Sequence, residues 1–405
     1  MLTFKDTNRN LAPETMTKCQ GALEKFLARP DIGFKDLPNR DRLWSESQRI
    51  GSDLRARATD IVLIGIGGSS LGPQLLADLA DTSIRVHFAD NVDPWQFQKI
   101  SRQISNWSKC HFLIISKSGT TLETLVTADL FAAELQKRNL DLARQSVVIT
   151  EPRQNSLREW AEKNKVETLE IPIDVGGRFS ILSPVGLCLA SAIGMSLDEI
   201  REGARQAIAD REKVARTAAE ALESFKREEW ITFLWSYSSG LRFFGLWFQQ
   251  LWAESLAKAT DRHAKPGPRV STPVPAIGTC DQHSLLQQVM EGTKDKWVVQ
   301  LRVKSCEAQG PTDSQSRFSA LSWMKPARLG QILAAEAEAT YKALHENKVS
   351  LRAMELEDLG PKSVGYLLMH WQLVVACLGE ALEIDAFDQP GVELGKRLAK
   401  DILKG

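Results

Sequence analysis

No Gly-x4-Gly-Lys-Ser/Thr string occurs in the 405 residues, which excludes a P-loop for nucleoside triphosphates. There is no surplus charge either. Lys+Arg and Asp+Glu are both 51, so no global field draws in nucleic acid or an acidic membrane, and any anion site must be local. The six cysteines (19, 110, 188, 280, 306 and 377) form no Cys-x-x-Cys pair and read as reduced, mostly buried thiols of a cytoplasmic protein. No His/Cys/carboxylate cluster has metal-ligand spacing, so no metal is expected. The start, Met1-Leu2-Thr3-Phe4-Lys5-Asp6, lacks the apolar core of a secretory signal. The most membrane-like stretch, Ile231 to Ala253, contains Arg242, Gln249 and Gln250 and suits a buried helix better than a bilayer span.

What the chain has is a pair of loops built to one plan. Residues 61–70 read Ile-Val-Leu-Ile-Gly-Ile-Gly-Gly-Ser-Ser, a β-rich run opening into glycines and hydroxyls. Residues 111–121 read His-Phe-Leu-Ile-Ile and then Ser116, Lys117, Ser118, Gly119, Thr120 and Thr121. A buried strand ending in such a turn gathers N–H groups, hydroxyls and a helix N-terminus around one small anion, and phosphate is the obvious guest. Thr120 with Glu123 forms a candidate capping box for the second helix. Gly65, Gly67 and Ser70 match the dinucleotide fingerprint in all but its last position, and Asp90 lies slightly beyond the usual distance of the acidic partner. A plain strand-to-helix turn accounts for the glycines alone equally well. Two hydroxyl-rich loops after two neighbouring strands favour the anion.

The length predicts two domains, each with its own core. Residues 11–28 and 41–57 read as helices of an N-terminal arm. Apolar runs at 61–66, 84–89, 111–116 and 146–150 alternate with helical stretches such as 121–137 and 154–164, the βαβ rhythm of a parallel sheet covered on both faces. An apolar helix at 183–195 closes this domain, and the Arg-, Glu- and Ala-rich stretch 197–227 reads as a solvated helical connector. A second block has apolar runs at 230–237, 274–277 and 297–303, separated by helices near 240–259, 283–292 and 326–346. Residues 304–318 read as an exposed loop, and helices at 363–382 and 391–403 finish the chain. The two blocks share a plan but no sequence period.

Four further strings carry candidate chemistry. In Val175-Gly176-Gly177-Arg178-Phe179-Ser180, an arginine behind two glycines can present a rigid fork to ligand oxygens; the alternative is a solvated surface turn. Gln250 and Glu254 share a helix face among Phe243, Phe244, Trp247, Phe248 and Trp252, where burial would raise a glutamate's pKa and suit a general base. The alternative there is a wet Glu254 paired with Lys258. Asp281 is a plausible N-cap that would put His283 in a first helical turn and favour neutral imidazole, although an isolated histidine is often a packed bystander. The run Phe387 to Lys396 surrounds Pro390 and Gly391 with helix-start chemistry and would by itself pass for a terminal cap.

Together these strings resemble the glucose-6-phosphate isomerase family of the two-domain sugar-isomerase (SIS) type, from about residue 60 to the C-terminus. Ile-Gly-Ile-Gly-Gly-Ser with Leu-Gly-Pro, Ser-Lys-Ser-Gly-Thr-Thr-Leu-Glu-Thr, Gly-Gly-Arg-Phe-Ser and Phe-Asp-Gln-x-Gly-Val-Glu-Leu-Gly-Lys occur in the family's order. The chain is short for that family, and Ser118-Gly119 stands where Thr-Phe is common in animal members. The resemblance implies an α/β fold of two doubly wound parallel-sheet (SIS, flavodoxin-like) domains. The expected divisions are a helical arm at 1–50, a first SIS domain at 51–196, the connector at 197–227, a second SIS domain at 228–386 and a C-terminal helix at 387–405. It implies aldose–ketose isomerisation of glucose 6-phosphate and fructose 6-phosphate without a cofactor. By position, Gly68, Ser69, Ser116, Lys117, Ser118 and Thr121 resemble the phosphate-holding residues. Glu254 resembles the general base, Arg178 the residue that stabilises the enediolate, Gln250 and Gln389 the lining of the sugar site, and His283 and Lys396 the ring-opening pair. The histidine of this family comes from the neighbouring subunit, which implies a homodimer. An isomerase of mannose or amino-sugar phosphates would alter the two glutamine positions, and a non-catalytic sensing module would lack Glu254 or Arg178.

Overall fold

A computed structural model describes residues 2–313 and 317–404. Among the described residues twelve strands run in chain order: β1 (Leu2–Thr7), β2 (Asp60–Ile64), β3 (Arg85–Ala89), β4 (Cys110–Ile115), β5 (Ser146–Thr150), β6 (Glu167–Glu170), β7 (Ile231–Ser236), β8 (Thr272–Ile277), β9 (Lys296–Val303), β10 (Thr312–Asp313), β11 (Ala327–Arg328) and β12 (Ser350–Leu356). The first sheet is wholly parallel with order β3-β2-β4-β5-β6. The second has order β1-β12-β9-β7-β8, parallel except for β1, which pairs antiparallel with β12. From opposite edges, β3-β2-β4-β5 and β8-β7-β9-β12 follow one plan, the doubly wound order the sequence implies.

Sheet residues alternate between two cores, as a pleated strand requires. Ile61 and Leu63 of β2 join Leu234 of β7 in one apolar cluster that runs through both sheet units, while Val62 and Ile64 face an outer cluster with Phe112, Ile114 and Val148. Phe233 and Trp235 make the matching outer cluster of the second sheet. Helix Pro361–Ala381 lies in the shared core with every residue of its apolar window buried. By length and composition it is, among the described residues, the one helix that could cross a membrane, so this feature belongs to 361–381 rather than to 231–253.

Five strands lie outside the runs expected from the sequence, two of them the two-residue pair β10 and β11 in the stretches expected as a loop and a helix start. β1 makes the beginning of the chain an edge strand, so the N-terminal arm is not all helical. β6 is short and half-exposed, and β12 follows the Leu329–Glu346 helix. The 197–227 connector is two helices, Leu197–Ala209 and Arg211–Lys226, and it is not simply solvated. Val214, Ala215, Ala218, Leu222 and Phe225 are buried, and buried Glu220 pairs with Arg352 of β12.

Candidate active site

Register sets the two hydroxyl-rich loops side by side. Asp60 pairs with Cys110 and Ile64 with Ile114, so Gly65 and Ser116 leave the same edge of neighbouring strands. β2 lies between β3 and β4, so the crevice is at the switch point of the sheet, where ligands bind in this topology. Gly67 turns the first loop with φ +58°, and Ser69 follows in a 3-10 turn, Gly67–Ser69. A Cβ on Gly68 would lie 2.4 Å from the Gly177 carbonyl oxygen, so this loop rests backbone to backbone on the segment that carries Arg178. Asp90 supports the loop from below. It accepts from Ser70 Oγ at 3.3 Å, Gln74 Nε2 at 2.7 Å and Gln96 Nε2 at 2.8 Å, so its carboxylate is occupied rather than presented to a ribose.

The second loop gathers hydroxyls. Ser116 Oγ is 2.8 Å and Ser118 Oγ 3.5 Å from Thr121 Oγ1, and the Gly119 N–H donates to Ser116 Oγ at 3.1 Å. Thr121, not Thr120, flanks helix Leu122–Gln136 and makes no side-chain cap. The Thr120–Glu123 capping box therefore does not form, because the hydroxyl at the flanking position is engaged with Ser116. Lys117 is half-buried, and its Nζ reaches Ile173 O at 3.3 Å. Burial pulls this ammonium below the ordinary lysine value. Hydroxyls, a partly desolvated lysine and the first turn of a helix make a cradle for a small anion.

Arg178 lies across the crevice, 3 % exposed, in the turn Gly177–Phe179. Its Nε donates to Ser255 Oγ at 2.7 Å and its Nη1 to Gln389 Oε1 at 3.0 Å and Glu254 Oε2 at 3.4 Å. Nη2 donates to Ala386 O at 2.6 Å and Asp388 O at 3.1 Å. Desolvation pulls its pKa below the ordinary arginine value, opposed by Glu254 and the carboxylates of Asp388 and Asp385. This is a fixed fork, not a solvated surface turn.

Helix Arg242–Leu256 brings Gln250 and Glu254 to the same place. Gln250 Nε2 donates to Glu254 Oε1 at 3.2 Å, and Gln250 Oε1 is buried with no hydrogen-bond partner among the described residues. The Glu254 side chain is 28 % exposed, so the aromatic residues around it do not enclose it as the sequence predicts, and its carboxylate opens into the crevice. Lys258 does not pair with that carboxylate. Its Nζ takes the Glu254 backbone carbonyl at 3.0 Å and turns to Asp388.

Gly68, Arg178, Gln250, Glu254 and Gln389 are thus brought together next to the hydroxyl loop. His283 and Lys396 are carried by other elements. His283 is exposed in a 3-10 turn, Cys280–His283, and not in a first α-helical turn. Asp281 caps no helix, because its carboxylate accepts from Ile277 N at 2.7 Å and Ser284 Oγ at 2.9 Å. Lys396 is exposed on helix Glu393–Lys404. Sequence reasoning missed Ser255, Asp388 and the role of Lys258. Only their adjacency to Glu254 and Gln389 marked them.

The chain matches the phosphoglucose isomerase family over residues 45–405. It is 36% identical over 380 residues to a glucose-6-phosphate isomerase of Thermus thermophilus, spanning 92% of this chain and 90% of that protein. A hypothetical protein of Thermus thermophilus has a solved structure that superposes with TM-score 0.89 at 34% identity, covering 100% of both chains. A glucose-6-phosphate isomerase of Chlamydia trachomatis shares the fold with TM-score 0.81 at 24% identity, covering 100% of this chain and 88% of that one. With matches of this length on both sequence and fold, the chain belongs to the phosphoglucose isomerase family.

Proposed function

We propose that this protein interconverts glucose 6-phosphate and fructose 6-phosphate, a step of glycolysis and gluconeogenesis, by moving a proton between C2 and C1 through a cis-enediolate. Family membership gives the reaction. The observation that carries the site assignment is the Arg178 guanidinium, held by five hydrogen bonds with Nη1 3.4 Å from Glu254 Oε2.

In this reading Ser69, Ser116, Lys117, Ser118 and Thr121 hold the phosphate, far from the reacting carbons, and convert anion affinity into orientation. Glu254 takes the proton from C2 and returns it to C1. The charge that then develops on the enediolate oxygens meets a guanidinium already fixed in place, so stabilisation arrives with the transition state and lowers the barrier. Gln250, with its buried unpartnered carbonyl, and Gln389 read the sugar hydroxyls. His283 and Lys396 transfer the protons that open the pyranose ring, His283 from the second subunit of a homodimer. The setting proposed is the cytoplasm.

The test is a coupled assay of purified protein with fructose 6-phosphate and an NADP-linked glucose-6-phosphate dehydrogenase as reporter. Steady NADPH production is expected, and Glu254→Gln is expected to lower kcat about 10²–10⁴-fold with sugar-phosphate affinity retained. A folded, phosphate-binding wild type that produces no NADPH would turn the reading to a sensing module. Equal loss of turnover and binding in Glu254→Gln would make Glu254 structural.

A further inference from the structure

Lys258 lies just past the end of helix Arg242–Leu256, and its side chain is only 7 % exposed. A buried ammonium needs partners on every side. Here the partners belong to two separate parts of the site. Nζ donates to the Glu254 backbone carbonyl at 3.0 Å, and it donates to the Asp388 carbonyl at 2.5 Å and to Asp388 Oδ1 at 2.8 Å. Arg178 Nη2 reaches that same Asp388 carbonyl at 3.1 Å, and Arg178 Nη1 holds the side chain of the next residue, Gln389. The backbone at Lys258 is itself confined, because a Cβ on Gly267 would lie 1.9 Å from the Lys258 carbonyl oxygen.

We infer that Lys258 is a positioning residue that fastens the Asp388–Gln389 segment to the helix carrying Glu254, and so fixes Arg178 and Gln389 against the place where the enediolate forms. The inference rests on the isomerase reading above. Two cations, Arg178 and Lys258, share one backbone carbonyl of this segment from opposite elements. If Lys258 is removed, Arg178 alone must hold both the segment and the developing charge. The phosphate cradle belongs to the first sheet and shares no hydrogen bond with Lys258 among the described residues. Loss of Lys258 should therefore weaken transition-state binding and spare ground-state binding.

The experiment compares wild type with Lys258→Met, which keeps most of the aliphatic stem, with Lys258→Arg, and with Asp388→Asn, which removes the negative charge facing Lys258 and leaves the backbone contact in place. Each is assayed for kcat and KM with fructose 6-phosphate. Each is also titrated with two inhibitors: glucitol 6-phosphate, a neutral-chain analogue of the substrate, and a five-carbon aldonate phosphate whose carboxylate imitates the enediolate. Lys258→Met is expected to lose about 10- to 100-fold in kcat and a matching factor in aldonate affinity, with glucitol 6-phosphate affinity changed by less than about threefold. Asp388→Asn should shift the same way by less, and Lys258→Arg should recover part of the loss. Parallel loss of affinity for both inhibitors, or unchanged kcat in Lys258→Met, overturns the assignment. If Lys258→Met does not fold, the same comparison on Asp388→Asn decides. An inactive wild type would refute the isomerase reading itself, whereas an active wild type with an unaffected variant refutes only the role of Lys258.

Discussion

At the scale of single residues, the site depends on one arginine whose donors are all committed. Nε goes to Ser255, Nη1 to Gln389 and Glu254, and Nη2 to Ala386 and Asp388. A lysine has a single point of attachment and cannot reproduce that fork. Arg178→Lys is therefore expected to lower kcat about 10²–10³-fold, with KM for fructose 6-phosphate changed far less. Steady-state kinetics check this, and a loss carried wholly by KM would make Arg178 a ground-state anchor instead. Arg178 was legible through the resemblance of Gly-Gly-Arg-Phe-Ser to the family's string, since by itself that string reads equally as a solvated surface turn. The sequence did not make Ser255 or Lys258 legible, since a serine inside a helix and a lysine after it are ordinary residues. What gives them roles is contact with Asp388 and Arg178, which lie far away in the chain. Glu254 shows the opposite error. The apolar neighbours predicted enclosure, but the Glu254 side chain is 28 % exposed and meets Arg178 instead of a closed apolar wall.

At the scale of elements, the site depends on how closely two turns approach. Gly67–Ser69 and Gly177–Phe179 meet with no room for a side chain between them at Gly68. Gly68→Ala must push the glycine loop off the Arg178 turn and separate phosphate binding from charge stabilisation. A kcat/KM loss of about 10²-fold is expected. Gly177→Ala, whose Cβ would meet nothing within 4 Å, should cost clearly less, and comparable losses in the two variants would reject the packing argument. Buried β-rich runs and helix periodicity made β2, β3, β4, β5, β7, β8 and β9 legible. β6 was not, because Glu-Thr-Leu-Glu has no apolar run, and β12 was not, because buried Arg352 breaks its run and finds its partner Glu220 in another element. The N-terminal arm also has a role invisible in its own sequence. Phe34 stacks on Phe179 at 4.8 Å and Phe26 on Phe34 at 5.4 Å, while Phe387 lies 5.9 Å from Phe26 and 5.3 Å from Phe179. These rings bind the arm to the residues adjoining Arg178 and Asp388, an arrangement that joins segments hundreds of positions apart.

At the scale of the whole molecule, one chain leaves His283 exposed on the loop after β8, its ring making no hydrogen bond to a described residue. It also leaves apolar side chains uncovered: Leu122, Val126 and Leu130 form a stripe on the helix that begins at the hydroxyl loop, and Leu394, Leu398 and Ile402 form another on the terminal helix. Surfaces of this kind favour association. If His283 completes the site of a second copy, two inactive variants must rescue each other. In a mixed dimer of Glu254→Gln and His283→Ala, one site combines intact Glu254 with the partner's intact His283, and the other site carries both lesions. Random reassortment makes half the dimers mixed with one working site each, so co-refolded protein should recover about a quarter of wild-type activity per site. Should Glu254 and His283 instead serve the same site from one chain, every site in the mixture carries at least one lesion and no activity returns. The coupled assay, run on each variant alone and on the reassorted mixture, separates the two arrangements without a structure of the dimer.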